Sequence, residues 1–174
     1  MFLKFRSWIP VGLAITLICG IIYGAVQQDI RQGANDPQIQ IAEDLREDLN
    51  SGKKIEELPL RNIDLNKSLS QFVIVFDEQN HPLYSEASLD GRIPTPPIGI
   101  FDFVKVHNQE GFTWQPKDSV RIAAVVVKFN KGFVLAGRSL REVEKREHYL
   151  LLEVAFGWVI TILTTLGVSL FSKK

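Results

Sequence analysis

Two long apolar stretches, one near each end of the chain, dominate its pattern of hydrophobic and polar positions. Residues 8–26 carry no charged side chain, and residues 150–171 carry one, Glu153, in the first turn. Each stretch is close to the ~20 residues with which an α-helix crosses a hydrocarbon core of ~30 Å. We therefore predict transmembrane helices at 8–27 and 150–171, with Glu153 at the membrane interface.

The residues between these stretches alternate between apolar and charged types, as they do in a globular domain. Apolar residues at helical spacing predict an amphipathic helix at about 37–50. Its start is marked by an N-cap at Asn35 or Asp36 and by Pro37 at the first helical position. Residues 51–67 are predicted to form a polar connector.

Five short runs rich in β-branched and aromatic residues predict strands, and a further run predicts a short helix among them. The helix is expected from Ile98 to near Gly111, after a proline-rich break at 94–97. A tight turn at Asn130-Lys131 joins the last two strands. The predicted strands are 72–76, 82–85, 112–115, 119–129 and 132–137.

A long helix is predicted after the last strand. Ser139 and Glu142 have the spacing of a capping box, in which the hydroxyl and the carboxylate each bind a free amide of the first turn. No Gly or Pro follows until Gly157, which already lies in the second apolar stretch. One helix at about 140–171 is therefore expected, with 140–149 as its juxtamembrane part.

The basic residues beside the two apolar stretches predict the orientation of the chain. Lys4 and Arg6 precede the first stretch, and Lys173 and Lys174 follow the second. Since Lys and Arg concentrate in short cytoplasmic flanks, both ends of the chain are expected in the cytoplasm. The predicted segments are a cytoplasmic N-terminus at 1–7, an extracytoplasmic domain at 28–139 and a cytoplasmic C-terminus at 172–174.

A cleaved signal peptide is the alternative interpretation of the first stretch, since Lys4 and Arg6 would form its basic region. The apolar run is longer than the ~7–15 residues that are usual in such a peptide. Gln27, Gln28 and Asp29 also lack the small residues of a cleavage site. A retained span is therefore favoured.

The charge of the segment between the spans argues against nucleic acid as a partner. Removing the four flanking basic residues from the total of 20 leaves 16, and removing Glu153 from the 20 acidic residues leaves 19, a net charge of −3. A mildly acidic domain lacks the basic surface that nucleic acid requires.

The residue types that carry catalysis or bind metals are not arranged in any recognised pattern. His81, His107 and His148 are far apart, with no Cys or carboxylate at metal-ligand spacing. Phosphate-binding loops, nucleophile elbows and paired cysteines are also missing from the sequence. The only cysteine, Cys19, lies in the first apolar stretch, so the domain holds no disulfide. We expect no enzymatic activity, no metal and no cofactor, and a membrane-tethered enzyme is the least favoured alternative.

Small residues recur at every fourth position in both apolar stretches. Such stripes let helix backbones approach closely in lipid, where no hydrophobic drive favours association. We predict that they pack the two spans as an antiparallel pair, or against the spans of a partner; accidental recurrence is the alternative. The residues are Gly12, Thr16, Gly20 and Gly24 in the first stretch, and Gly157, Thr161, Thr165 and Ser169 in the second.

The predicted order of elements is a helix, two strands, a short helix, three strands and a helix that enters the membrane. This order, with the sequence GFVLAGRSL at 132–140, resembles the extracytoplasmic PAS-like (single Cache) sensor regions of bacterial sensor histidine kinases. The resemblance covers roughly residues 8–171. It implies an α+β fold, with a PAS-like antiparallel sheet domain flanked by two transmembrane helices. It also implies the bacterial inner membrane, with the domain in the periplasm.

In that family the second span leads into a HAMP linker and a kinase core. This sequence ends at Lys174 instead. The departure predicts a protein without autokinase activity, which would have to signal through another polypeptide.

By analogy with the PAS-like family, a small ligand would bind between the sheet and its helical cover. The resemblance then suggests Trp114, Arg121 and Arg138 as residues that recognise an anionic ligand, with Phe101 and Phe103 as walls. In the alternative interpretation the two arginines point outward and Trp114 belongs to the core.

The function expected from these features is that of a sensory or regulatory module. It would bind a ligand or a protein outside the cytoplasm and act through a partner membrane protein or through its own oligomer. A structural or assembly subunit of a membrane complex is the alternative.

Overall fold

The computed structural model describes the backbone of residues 2–171 and the side chains of residues 8–33 and 36–171. The residues divide into two compact units, one formed by Met1–Arg31 and Val143–Lys174 and the other by Gln32–Glu142. Five residues used in the predictions have side chains outside the described part: the orienting residues Lys4, Arg6, Lys173 and Lys174, and the proposed N-cap Asn35.

Residues 2–171 contain three α-helices: α1 at Phe2–Asn50, α2 at Ile98–His107 and α3 at Arg141–Phe171. A short 3₁₀ turn at Ile55–Glu57 lies in the connector after α1. Both α1 and α3 contain a stretch that is long and apolar enough to cross a membrane. Membrane association therefore agrees with the length and composition of these two helices.

The predicted break before Pro37 is wrong, because α1 continues without interruption through Gly33 and Pro37. Proline inside a helix removes one backbone hydrogen bond and crowds the carbonyl four residues earlier, at a cost of ~3 kcal/mol. Residues beyond Pro37 bury one face of the helix on the sheet, with Ala42 and Leu45 in the core.

Five strands form one antiparallel sheet, and two short strands pair in parallel beside it. The chain is therefore a mixture of helix and antiparallel sheet, as predicted, and each of the five predicted strands is found. The strands are β1 (Ile63–Asp64), β2 (Phe72–Asp77), β3 (Pro82–Ser85), β4 (Ala87–Ser88), β5 (Gln109–Lys117), β6 (Val120–Phe129) and β7 (Gly132–Ser139). The short helix α2 ends at His107 instead of near Gly111, because β5 begins at Gln109 and pairs there with β6.

The order of strands in the five-stranded sheet is β3-β2-β7-β6-β5, and the small sheet pairs β1 with β4. The two outer strands both contain proline. Pro82 opens β3, and Pro116 lies where the register between β5 and β6 shifts, between Trp114 and Lys117. The connector predicted at 51–67 also contains the strand β1, which the sequence did not predict.

Apolar side chains cover both faces of the sheet. On one face Phe101 of α2 is fully buried, with its ring centroid 5.0 Å from that of Phe76 and 5.2 Å from that of Phe133. On the other face Ala42 and Leu45 of α1 pack against the sheet. Since both faces are covered, β6 and β7 are apolar along most of their length instead of alternating.

Candidate functional site

The residues expected to form a ligand site under α2 are in part core residues. Trp114 and Phe101 belong to the buried cluster on the α2 face of the sheet. Phe103 is 42% exposed, and its ring stacks on that of His107 with centroids 3.9 Å apart. Phe101 and Phe103 therefore do not form two walls of one cavity.

The two arginines of the expected site lie on the opposite face of the sheet. Arg121 stands between Val120 and Ile122, which both point into the α2 face, so strand alternation turns Arg121 the other way. Arg138 shares its face with Ala136, which packs on the α1 side. The structure therefore separates both arginines from Trp114, and the predicted set does not form one site.

A different concave site lies on the α1 side of the domain, as a groove of about 350 Å³. One wall is α1, the second is the connector after the 3₁₀ turn, and the third is the β2 and β3 edge of the sheet. The lining residues are Ile41, Asp44, Leu45, Asp48, Leu58, Pro59, Arg61, Gln71, Phe72, Val73, Tyr84 and Glu86.

Glu86 is the most unusual residue of the groove, because it carries a carboxyl group and yet is only 6% exposed. Its Oε2 accepts a hydrogen bond from the backbone N–H of Val73 at 3.1 Å. Its own N–H donates to the Val73 carbonyl at 3.0 Å, and its carbonyl accepts from the N–H of Ile63 at 2.7 Å. Nη1 of Arg61 lies 3.7 Å from Oε1. Glu86 thus joins β2, β1 and the connector.

Tyr84 fixes the connector to the sheet beside this carboxylate. The phenol donates a hydrogen bond to the carbonyl of Pro59 at 2.6 Å. Burial raises the pKa of Tyr84, the negative charge of Glu86 raises it further, and Arg61 opposes both. The phenol therefore keeps its proton, and its hydrogen bond to Pro59, throughout the neutral pH range.

The groove offers both signs of charge beside apolar walls. Asp44 and Asp48 lie on α1, and Asp48 pairs with Lys53 at 2.7 Å. Arg61, half exposed, is the guanidinium of the groove. Such a site suits a small polar molecule with an amino group and an acidic group. Among the described residues no group of three His, Cys, Asp or Glu could hold a metal ion.

We expect Glu86→Leu to lower the free energy of unfolding of the domain by about 1–3 kcal/mol, because it leaves the buried N–H of Val73 without an acceptor. Glu86→Gln is the matched control, since its amide oxygen can still accept that bond. Pulse proteolysis in urea of the full-length chain in detergent micelles measures both changes. Equal losses in the two variants would contradict the role given to Val73.

A second polar cluster connects the start of α3 to the loops of the domain. Nδ2 of Asn66 donates to Asp90 at 3.1 Å, and Nζ of Lys117 lies 2.9 Å from the same carboxylate. Nη2 of Arg141, the first residue of α3, donates to the carbonyl of Asn66 at 2.7 Å. Hydrogen bonds from Lys117 and Asn66 lower the pKa of Asp90. Oγ of Ser139 accepts from the Arg141 N–H at 3.3 Å, two residues on, whereas the predicted capping box places this bond on the N–H of Glu142, three residues on.

The two candidate spans contact each other through tryptophan and threonine. Nε1 of Trp8 donates to Oγ1 of Thr165 at 3.1 Å, and Nε1 of Trp158 donates to Oγ1 of Thr16 at 2.9 Å. The early residues of α1 thus lie beside the late residues of α3, which makes the pair antiparallel. Two residues of the predicted stripes, Thr16 and Thr165, lie at the contact.

The glycines of the stripes lie mostly away from the contact. A Cβ added at Gly20, Gly24 or Gly157 would meet no atom within 4 Å, and one added at Gly12 would meet the ring of Trp8 in the same helix. At 3.6 residues per turn, a four-residue step advances about 40° around the helix, so a stripe of four winds off one face. Thr161 is exposed, and Ser169 is half-buried.

In the first span of α1, the buried and half-buried residues follow a different spacing from that of the predicted stripe of small residues. Buried and half-buried positions recur at intervals of three or four residues, which keeps them on one face. Beyond these positions, Arg31 of α1 forms a two-pronged ion pair with Glu147 of α3. The positions are Trp8, Gly12, Ile15, Cys19, Tyr23, Gln27 and Ile30.

No protein-family model, no curated protein and no solved structure matches the chain.

Proposed function

We propose that the protein is a membrane-anchored sensory or regulatory module without enzymatic activity of its own. It binds a small polar ligand outside the cytoplasm and acts through a partner membrane protein. The observation that carries the proposal is the buried Glu86 carboxylate in the wall of the groove. The facing wall is α1, and the same helix contains the first candidate span.

The order of the strands supports the relation to sensor domains. Counted along the chain, the five strands of the large sheet lie in the order second, first, fifth, fourth, third. This order resembles that of PAS-like sheets, to which the sequence of elements also points. The PAS-like assignment of the domain is therefore part of the proposal.

The proposed topology places both termini in the cytoplasm and the domain in the periplasm of a bacterial inner membrane. Its support is the basic flank at each end of the chain. The charged pair of Arg31 and Glu147 lies where the apolar stretches end on the side of the domain. A charged pair in that position belongs at the aqueous surface, with the apolar residues in the lipid.

Ligand binding would act on α1 directly. A molecule in the groove lies against Asp44 and Asp48 on α1 and against the connector that Tyr84 and Glu86 hold. Closing the groove around it draws α1 toward the sheet edge. Since α1 is one continuous helix, a small displacement of it at the groove would be passed on as a helix shift, one of the known forms of allosteric change. α3 follows through the contact of Arg141 with Asn66.

The test is thermal unfolding of the full-length chain in detergent with a panel of small molecules that carry an amino group, an acidic group, or both. A ligand at 100 times its Kd should stabilise the domain by about 2.7 kcal/mol and raise Tm accordingly. Asp44→Asn should abolish the shift without changing the Tm of the free protein by more than a degree or two. Arg61→Gln should abolish the shift and lower that Tm, because it removes the charge beside the buried carboxyl group of Glu86. Lys131→Gln, at an exposed turn away from the groove, is the control that should keep the shift.

A structural or assembly subunit of a membrane complex remains the second candidate, favoured by the covering of both sheet faces. This candidate predicts no Tm shift with any small molecule. It also predicts that the same partners copurify in the same ratio under every growth condition. Those two results together would replace the sensory proposal.

A further inference from the structure

Glu153 is a carboxylate that the domain and the helix pair leave without a partner. It lies one helical turn inside the apolar stretch 150–171, and its side chain is exposed. Within the described part of the chain, no hydrogen bond or ion pair engages it. Its surroundings are apolar, since it shares a shallow recess with Leu152, Ala155, Phe156 and Val159.

The side chain points away from α1. Trp158 and Thr165, which bind α1, come five and twelve residues after Glu153, which at 3.6 residues per turn places them about 140° and about 120° around the helix from it. The carboxylate therefore faces outward from the helix pair.

The surface around Glu153 suits the approach of another helix. Gly157, Ile160 and Thr164 lie within about 40° of Glu153 on α3. A Cβ at Gly157 would meet no atom within 4 Å, and Thr164 is exposed. A small residue and a hydroxyl beside a carboxyl allow close approach and hydrogen bonding between helices in lipid. We call this surface, made of Glu153, Gly157, Ile160 and Thr164, the outer face of α3.

We propose that the outer face of α3 binds a membrane helix of the partner protein, and that this helix carries a Lys or Arg side chain opposite Glu153. The inference rests on the proposed function, because it requires α3 to span the membrane and a partner to exist. Charge complementarity selects the occupant, since a carboxyl group within an apolar stretch of a span usually pairs with a group of opposite charge. A second copy of this chain in parallel would place Glu153 beside Glu153, and two like charges in one site repel each other.

The proposal is tested by site-specific photocrosslinking of the full-length chain in the membranes of its native host. A photoreactive residue replaces Ile160, on the outer face, or Ile162, which is half-buried on the α1 side. The expected result is one intermolecular product from position 160 and none from 162. Mass spectrometry should identify the attached peptide as an apolar segment of another protein that contains Lys or Arg.

Substitution then shows whether the carboxylate is responsible. Glu153→Leu should lower the yield of that product by about tenfold or more, whereas Glu144→Leu, in the same helix but before the apolar stretch, should leave it unchanged. Exchanging the charges, with Glu153→Lys here and Lys or Arg→Glu in the partner, should restore the yield. A product with a second copy of the chain, with lipid alone, or with a partner helix without a basic residue would overturn the proposal.

Two readouts separate this proposal from the proposed function. If alkaline carbonate releases the chain from membranes, α3 is not embedded and both fail. If the chain stays in the membrane and its domain responds to ligand, but position 160 yields no product, only the assignment of the outer face fails.

Discussion

Phe101→Ala should lower the free energy of unfolding of the domain by about 3–5 kcal/mol, the range for truncating a buried phenylalanine. The ring is fully buried and touches the rings of Phe76 and Phe133, with centroids 5.0 Å and 5.2 Å away. Removing it leaves a cavity between α2 and the sheet, beside the rings of Phe76 and Phe133. Urea unfolding of the full-length chain in detergent, followed by hydrogen exchange of the β7 amides, measures the loss.

Phe103→Ala is the matched control for this prediction, because it removes the same side chain two residues later in the same helix. Phe103 is 42% exposed and contacts His107 within α2. Its loss should change stability by less than about 1 kcal/mol. If both phenylalanines bound a ligand as walls of one pocket, both variants would instead weaken ligand binding and leave similar stability.

Gly132→Ala should destabilise the domain by about 3 kcal/mol or more, or prevent its folding. Gly132 opens β7 directly after the tight turn from β6, with φ at +151°. A Cβ there would overlap the carbonyl oxygen of Phe76, in a strand that pairs with β7. Backbone on both sides of this contact is fixed by strand pairing, so neither side can withdraw. Urea unfolding of the full-length chain in detergent measures the effect.

Gly111→Ala is the control for the strand glycine. Gly111 also lies in a strand, β5, but a Cβ there would make an ordinary contact of 3.7 Å with Cγ2 of Val125. Its effect should stay within about 1 kcal/mol, because alanine adopts strand dihedrals without strain. A Gly132→Ala variant as stable as Gly111→Ala would show that the β6 and β7 turn can rearrange.

The sheet could be predicted from the sequence because its signals are local. The β-branched and aromatic runs that became β2 and β6, and the tight turn at Asn130-Lys131, each lie within one short segment. The predicted helix start at Pro37 was wrong, although proline does favour the first turn of a helix. Proline can stand inside a helix at the cost of one backbone hydrogen bond, so Pro37 alone does not require a helix to begin there.

The groove could not be predicted because its walls come from three separate parts of the chain. α1, the connector at 58–61 and the segment 71–86 meet only in the folded domain. One local signal was available. Tyr84 and Glu86 are two residues apart, which places both on one side of an extended segment and brings a carboxylate next to a phenol. Arg121 and Trp114, which were expected in one ligand site, lie on opposite faces of the sheet because side chains alternate along a strand.

The prolines at the two margins of the sheet bear on how the protein behaves at high concentration. Pro82 gives β3 no amide hydrogen at its first position, and Pro116 together with the shifted register interrupts the margin of β5. An incoming strand would find no amide donor at either proline, which shortens the run of donors at each margin. Overproduction should therefore give dispersed protein in place of fibrils, and stable self-association of the domain by strand exchange is disfavoured.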